Sequence, residues 1–573
     1  MDSTTTIALG ATLVLSLSLA VYHIGKPTPL PGIPHNKLHW FTGDIPLLTY
    51  GVKEKGAITW AFDDTAKRLG PVSQVVVGLG ASWASRLFGF GQAIVILADA
   101  QEMQDVLVNR SAEFERSTSI TSLFAATVPH GLIALPTNDE FRHHRRYLGI
   151  TMTTPYIARM VPRMVDLIQE LIDLWTLASK RLSGPTDALN AYDDIRSATI
   201  DIIASITFGA SFNGGKTAYE YLEAHPELRG DARPESAQLP DDLQILLDTI
   251  GDGVLFPAPR LLPWITRTFN RKWRAALQRS HAFLKARLDG AREEYRLDER
   301  DEKRPAAAEA DNVLDMILEK EKADQLRGTD ALTETEIIDE LLVFALGGSE
   351  TTATTMQWGL KILSKHPRVQ RTLRAELLTL PSLSSGAPTL SELGDESKAP
   401  YLSAVVHELL RCSRSASAVA RDATRDTTLL GHHIPKGTQV LLPIGMVQQL
   451  ESAATTPAGL DGVRSKTSWR KTGFWDAGDV GEFKPERWLR AEDGSFDPNA
   501  GPYMPFSFGL RGCFGQKLAV AELRLFFGMM QMAFLFDEVP AELNTWAAQE
   551  TVTNHPLQCY VRPIPWEEVE RRV

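Results

Sequence analysis

Between Phe506 and Gly515 the chain reads FSFGLRGCFG, and after two further residues the apolar run LAVAELRLFF begins. Three glycines in ten residues argue against a regular helix or strand, so the segment reads as a loop that delivers one cysteine, Cys513, to the start of a helix. A thiol placed just ahead of a helix N-terminus lies among backbone N–H groups and the positive end of the helix dipole, which favours the thiolate. The competing reading makes Cys513 a buried apolar thiol of the core. The other cysteines, Cys412 and Cys559, leave the set too small and too irregular for a disulfide framework or a cysteine-rich zinc site. The body therefore reads as reduced.

With 573 residues, 43% hydrophobic and 23% charged, the chain can bury a large core. Its formal net charge of -11 excludes a general nucleic-acid binder, which needs an excess of Lys and Arg on one face. Ile7 to Tyr22 carries no charge and no proline, and Thr4 to Ile24 reaches the length of a membrane span. A cleaved signal peptide is the alternative. Asp2 ahead of the run and Lys26 directly behind it favour an anchor whose C-terminal side faces the cytosol. The expected layout is an anchor over 1–24, a proline-rich linker over 25–40 (KPTPLPGIP) and one catalytic body over 41–573.

Val72 to Gly78 and Gln92 to Ala98 read as a small hairpin. The glycines between them (GLGASW, GFGQAI) do not complete a dinucleotide fingerprint, so no nicotinamide or flavin site is expected. From Asn138 to Ser364 helical periodicity dominates. Thr333 with Glu336 forms a capping box that starts a long helix, and His366-Pro367 ends it. A second β-rich patch is expected from Thr427 to Pro443, turning at Ile434 to Gly437. No internal repeat is present.

The loop Phe506-x-x-Gly509-x-Arg511-x-Cys513-x-Gly515 resembles the haem-binding loop of the cytochromes P450 at every fixed position. Gly347-Gly-Ser-Glu350-Thr351-Thr resembles that family's oxygen-activating helix, although small residues also suit a tightly packed helix. Glu408-Leu-Leu-Arg411 resembles its Glu-x-x-Arg helix, and Phe483-Lys-Pro-Glu-Arg487-Trp488 its Pro-Glu-Arg-Phe segment. Glu-x-x-Arg spacing alone is uninformative, since Glu113/Arg116, Glu293/Arg296 and Glu568/Arg571 share it and read as solvated helix or tail pairs.

The resemblance implies a mainly α fold with small β-sheets, preceded here by one transmembrane helix. Cys513 would be the axial ligand of a haem iron, whose electron-rich thiolate promotes O–O cleavage. Gly509 and Gly515 would let the backbone approach the porphyrin, and Phe506 would belong to the same cradle. Arg511, Arg421 and Arg145 would bind haem propionates. Arg145 stands in Phe141-Arg-His-His-Arg145, where the family carries Trp at the first position; an ordinary surface charge is the alternative. Glu350 and Thr351 would deliver protons to bound oxygen. Glu408, Arg411 and Arg487 would lock the core on the haem side.

The implied activity is insertion of one oxygen atom from O2 into a lipophilic substrate, with electrons from a separate NADPH-dependent flavoprotein reductase. The basic run Arg142 to Arg146 is a candidate docking surface for it. Leu123, Phe124, Phe344, Ala345, Val419 and Val552 are candidate pocket walls, but apolar residues at such spacings are also ordinary core. The insertions, at Ser382 to Ser397 and Glu451 to Arg470, and the N-terminus resemble fungal biosynthetic members on the endoplasmic reticulum membrane, implying a secondary metabolite. A haem-thiolate isomerase or dehydratase that needs no O2 and a non-catalytic haem sensor are the alternatives.

Overall fold

A computed structural model of the chain describes residues 27–77, 93–182, 184, 187–234, 238–254, 259–300, 311–328, 330–381, 389–446, 463–467, 472–476 and 478–571. The expected anchor at 1–24, the glycine-rich turns between residues 78 and 92, residues 382–388 of the first insertion and most of the second lie outside these residues. Among the described residues no helix is long and apolar enough to cross a membrane.

Helices dominate, as the periodicity implies. Those that build the site are α1 (Ala100–Val108), α2 (Asp139–Leu148), α3 (Tyr192–Phe208), α4 (Gln238–Gly253), α5 (Glu334–Ser364), α6 (Pro400–Ser413) and α7 (Gln516–Ala533). The start of α5 forms as its sequence dictates. The Glu336 N–H donates to the Thr333 hydroxyl, and the Thr333 N–H donates to the Glu336 carboxylate at 2.6 Å. Most of its 31 residues are buried, so this helix runs through the middle of the protein. Two glycines set how closely its neighbours approach. A Cβ on Gly348 would lie 2.6 Å from Ile203 of α3, and one on Gly359 would lie 2.3 Å from the Phe527 ring of α7.

The strands are short: β1 (Val72–Val76), β2 (Ala93–Leu97), β3 (Phe114–Arg116), β4 (Leu189–Asn190), β5 (Val419–Ala423), β6 (Thr427–Leu429), β7 (His432–Ile434), β8 (Gln439–Leu442), β9 (Phe534–Asp537), β10 (Ala548–Glu550), β11 (Asn554–Pro556) and β12 (Tyr560–Pro565). The expected hairpin is β1 against β2, antiparallel with Val72 opposite Leu97. Local pattern could not show its extension into a five-stranded sheet, ordered β1-β2-β8-β5-β3, in which β8 runs parallel to β2. One pair in that sheet, Arg116 of β3 opposite Arg421 of β5, sets two cations side by side.

Part of the proline-rich segment is fastened to the body. The Gln74 side chain of β1 accepts from the Leu30 N–H and donates to the Leu30 and Ile33 carbonyls, and Ile33 is buried. The described piece of the second insertion is fastened too. Arg464 pairs with Asp99 at 2.6 Å, the Ser465 N–H donates to Glu102, and the Thr467 hydroxyl donates to Asp105, all along α1 and its N-cap.

Among the described residues three apolar cores result, the smallest formed by Ala404, Trp475, Trp488 and Phe496. A large one lies among the helices, and a smaller one beneath the five-stranded sheet. The cysteine loop spans the seam: Phe506 and Phe514 pack on the helical core, whereas Met504 and Phe508 belong to the sheet core.

Candidate functional site

The loop is held by its own backbone before any partner is considered. The Cys513 N–H donates to the Phe506 carbonyl at 2.8 Å, and the Gly512 N–H to the Gly509 carbonyl at 3.0 Å. Helix α7 then begins at Gln516 with no side-chain cap, which leaves its first N–H groups directed back toward the loop. Burial pushes the Cys513 thiol up, while the Gly515 N–H and the nearby Arg145 pull it down. The thiol is accessible yet densely surrounded by protein atoms, the condition of a group lining an internal cleft.

The glycines divide the work differently from the sequence expectation. Gly509 has φ +72°, and a Cβ there would strike the Leu107 carbonyl of α1 at 2.1 Å, so its small size serves the contact between loop and α1. A Cβ on Gly515 would meet open space. Glycine 347 on α5 likewise faces open space, and Gly347 and Thr351 are exposed on a helix whose residues Ser349, Glu350 and Thr352 are buried. The Thr351 hydroxyl donates to the Gly347 carbonyl at 2.7 Å. Phe344 of α5 stands edge-on to Phe514, ring centroids 6.1 Å apart, and joins this helix to the cysteine loop. The GGSETT segment is thus both a packed helix, through Gly348, and an open wall, through Gly347 and Thr351.

A cluster of guanidinium groups lies at the edge of this cleft. Arg511 donates to the Leu132 and Leu135 carbonyls and to the Thr137 hydroxyl, and lies over the Phe141 ring at 3.6 Å. Phe141 thus supports Arg511 with its ring face, in place of the indole N–H that a Trp would offer. Arg421 is buried and donates to the Ala420 carbonyl, while Arg116 donates to the Ile133 carbonyl. Burial pushes Arg116 and Arg421 down to about 10 and Arg511 to about 9, each further lowered by a neighbouring cation. At neutral pH all stay charged. Glu115 is the carboxylate that acts on all three, and it already accepts from the Arg116 N–H and the Thr137 hydroxyl. Arg145 stands over the Phe514 ring and close enough to Cys513 to stabilise a thiolate. The buried Nε of Arg116 has no hydrogen-bond partner.

An excess of buried positive charge with an unpaired donor is costly unless an anion completes it. The site therefore fits a planar dianionic group at its edge, a soft metal held by Cys513, and open space beside Gly347, Thr351 and Gly515. Arg116 was missed by sequence reasoning, which took Glu113/Arg116 as a solvated pair. The correction is structural: the chain is extended here, Glu113 just ahead of β3 turning to Arg110 and Arg425 while Arg116 at its end faces inward. The usable signal was the β-prone Phe114 between turn-forming residues, which argues against helical spacing.

The other expected group forms a second, separate cluster. Glu408 accepts from Arg411 Nε and Nη2, both at 2.8 Å, and from Arg487 Nε at 3.1 Å. Trp488, not singled out from the sequence, donates its indole N–H to Glu408 at 2.9 Å. All four side chains are nearly sealed from solvent, and every carboxylate lone pair is used. The basic run of α2 divides: Arg142 and Arg146 face solvent, whereas His144 bonds the buried Glu340 at 2.7 Å and Arg145 turns inward. Of the candidate pocket walls, Leu123, Phe344 and Ala345 are buried in the helical core, Phe124 and Val552 pack at its margin, and Val419 packs against the sheet core.

A mainly helical body that carries a cysteine loop, an open helix wall and a cationic edge defines a haem-thiolate protein. The comparisons with known proteins agree: the Cytochrome P450 family model matches residues 39–452 and 478–560, so the chain belongs to the cytochrome P450 family, and haem is its cofactor. The unmatched stretch overlaps the second insertion. Cytochrome P450 monooxygenase GME11363 of Pestalotiopsis microspora is 28% identical over 98% of this chain and 99% of its own length. Cytochrome P450 monooxygenase TRI13 of Fusarium sporotrichioides is 29% identical over 96% and 97%, and cytochrome P450 monooxygenase xilC of Penicillium crustosum 29% over 97% and 96%. Members of this class use O2, a redox partner and a lipophilic substrate.

Proposed function

We propose that the chain is a monooxygenase that inserts one oxygen atom from O2 into a lipophilic secondary metabolite, with Cys513 as the axial ligand. The observation that carries the site assignment is the buried cationic edge, which has a single shared carboxylate and an unpartnered Arg116 donor. Arg511, Arg421, Arg145 and Arg116 would hold the two propionates, and Phe506 and Gly515 would border the ring. When bound, haem supplies the reductive activation of O2 and the transfer of one oxygen atom. Thr351 presents a hydroxyl to the cleft, and Glu350, buried beside it on α5, is the acid that would supply its proton. Glu408, Arg411 and Arg487 fix α6 against the segment ahead of the loop, which keeps the Cys513 backbone in place.

The electrons come from a separate NADPH-dependent flavoprotein reductase that docks near Arg142 and Arg146. Residues 1–24 anchor the chain in the endoplasmic reticulum membrane, 25–40 connect, and 41–573 form the cytosolic catalytic body; the uncharged run and the following Lys26 support this layout. That the three relatives are all fungal monooxygenases by name supports the reaction class, and the resemblance of the insertions and N-terminus to fungal biosynthetic members supports a secondary metabolite as substrate class. The test is the carbon-monoxide difference spectrum of the reduced protein, then product formation with reductase. A thiolate-type Soret band that disappears in Cys513→Ala, with reductase-dependent incorporation of labelled oxygen from O2, is the expected result. A band typical of a nitrogen ligand, or turnover without reductase, would overturn it.

A further inference from the structure

On α5, Glu350 is buried against the turn between β10 and β11. The Thr553 hydroxyl of that turn donates to Glu350 Oε1 at 3.3 Å and lies 3.1 Å from the Thr354 hydroxyl. On β11, His555 places Nδ1 4.0 Å from the same Glu350 oxygen. That Nδ1 is buried and has no hydrogen-bond partner. From α3 the Tyr192 ring meets the imidazole edge-on, centroids 6.2 Å apart. The exposed Asp248 of α4 acts electrostatically on His555 from the solvent side. The groups thus run from the surface inward as Asp248, His555, Glu350, with the Thr351 hydroxyl next along α5.

We propose that His555 is the relay that returns protons to Glu350. This rests on the reading of Glu350 and Thr351 as the proton-delivering pair. A charged imidazole gives its Nδ1 proton to the Glu350 carboxylate, through one water or after a small approach, and becomes neutral. Nε2 keeps its hydrogen throughout; once Glu350 has passed its proton on, Nδ1, now the basic nitrogen, takes a proton from hydronium, which leaves as water, so atoms and charge balance and no electron moves. The surroundings suit both halves of the cycle: burial lowers the basicity of His555 and favours release, while Glu350, Asp248 and the Thr553 backbone raise it and favour recharging. Tyr192, pushed up to about 12, stays neutral throughout. Thr553 and Thr354 hold the Glu350 carboxylate toward the imidazole. His555 touches neither substrate nor haem in this scheme and acts only through Glu350.

The first test needs no substrate. In full-length, ferrous, carbon-monoxide-bound enzyme carrying labelled histidine, the NMR titration of His555 should move to lower pH in both Glu350→Gln and Asp248→Asn. The second reads the share of NADPH electrons recovered as hydrogen peroxide in the reductase-reconstituted enzyme without added substrate. That share should rise at least ~3-fold in His555→Phe and His555→Gln, with an enlarged solvent isotope effect, and His555→Phe/Glu350→Gln should be no worse than Glu350→Gln alone. The thiolate Soret band should be unchanged in each variant. A His555 titration indifferent to Glu350→Gln overturns the relay. So does a wild-type peroxide share in both His555 variants while Glu350→Gln and Thr351→Ala raise it, an outcome that leaves the pair's role intact. Wild-type values in all of these variants refute the pair, and the relay with it.

Discussion

Arg116 shows how much one side chain can carry at this site. Its Nε lacks a partner, its neighbours Arg421 and Arg511 repel it, and Glu115 is shared among all three. Arg116→Gln should lower the haem-to-protein ratio after purification and weaken haem retention by roughly 10- to 100-fold, the loss of one charge-assisted bond of about 1.5–3 kcal/mol; pyridine haemochrome assay against total protein measures it. Glu522 of α7 makes a different demand. It is fully buried, and burial pushes its carboxyl from 4.5 up to about 8. In the unfolded chain the group ionises near its ordinary value, so between pH 4.5 and 8 the folded state binds more protons and stability falls as pH rises. Each pKa unit corresponds to about 1.4 kcal/mol, so the loss is of the order of a few kcal/mol. Denaturation midpoints followed across pH should decline over that window in the parent and decline less in Glu522→Gln.

At the scale of elements, what was legible in the sequence was what is local. The Thr333 box names its own helix start, the Cys513 loop names its own turn, and the Glu408/Arg411 spacing places both side chains on one helical face. Thr333→Ala should cost about 1 kcal/mol of stability through loss of the cap, read as a shift in the urea midpoint. What stayed hidden was what depends on strands that meet across hundreds of residues. The Arg116–Arg421 pairing, the parallel seat of β8 and the contact between β11 and Glu350 have no short-range signature. Gly509 was legible as a residue that must be small but not for its reason, because the carbonyl it approaches belongs to α1. Helix packing offers a direct contrast between two glycines of α5. Gly359→Ala forces a Cβ onto the buried Phe527 ring and should cost about 1–3 kcal/mol. Gly348→Ala meets Cδ1 and Cγ1 of Ile203 at 2.6 and 2.7 Å, an aliphatic chain that can give where a buried ring cannot, so its melting temperature should fall less.

Over the whole molecule, charge is placed inwardly: the guanidinium cluster and the Glu408 network are enclosed in a chain of net charge -11. A reductase approaching near α2 would meet two outward cations, Arg142 and Arg146, rather than a broad basic field. Reversing both to Glu should raise the KM for reductase several-fold at low salt and progressively less as salt is added, with the Soret band unaltered; steady-state reduction kinetics would show it. The seam bridged by the cysteine loop has a consequence for how the protein comes apart. Because Met504 and Phe508 are rooted under the sheet, Phe506 and Phe514 among the helices, and Gly509 against the end of α1, neither half can loosen while the sulfur stays in register. Heating should therefore bleach the pigment and melt the scaffold at one temperature, and an apoprotein with an intact sheet lobe but a wandering ligand strand should not accumulate on the way.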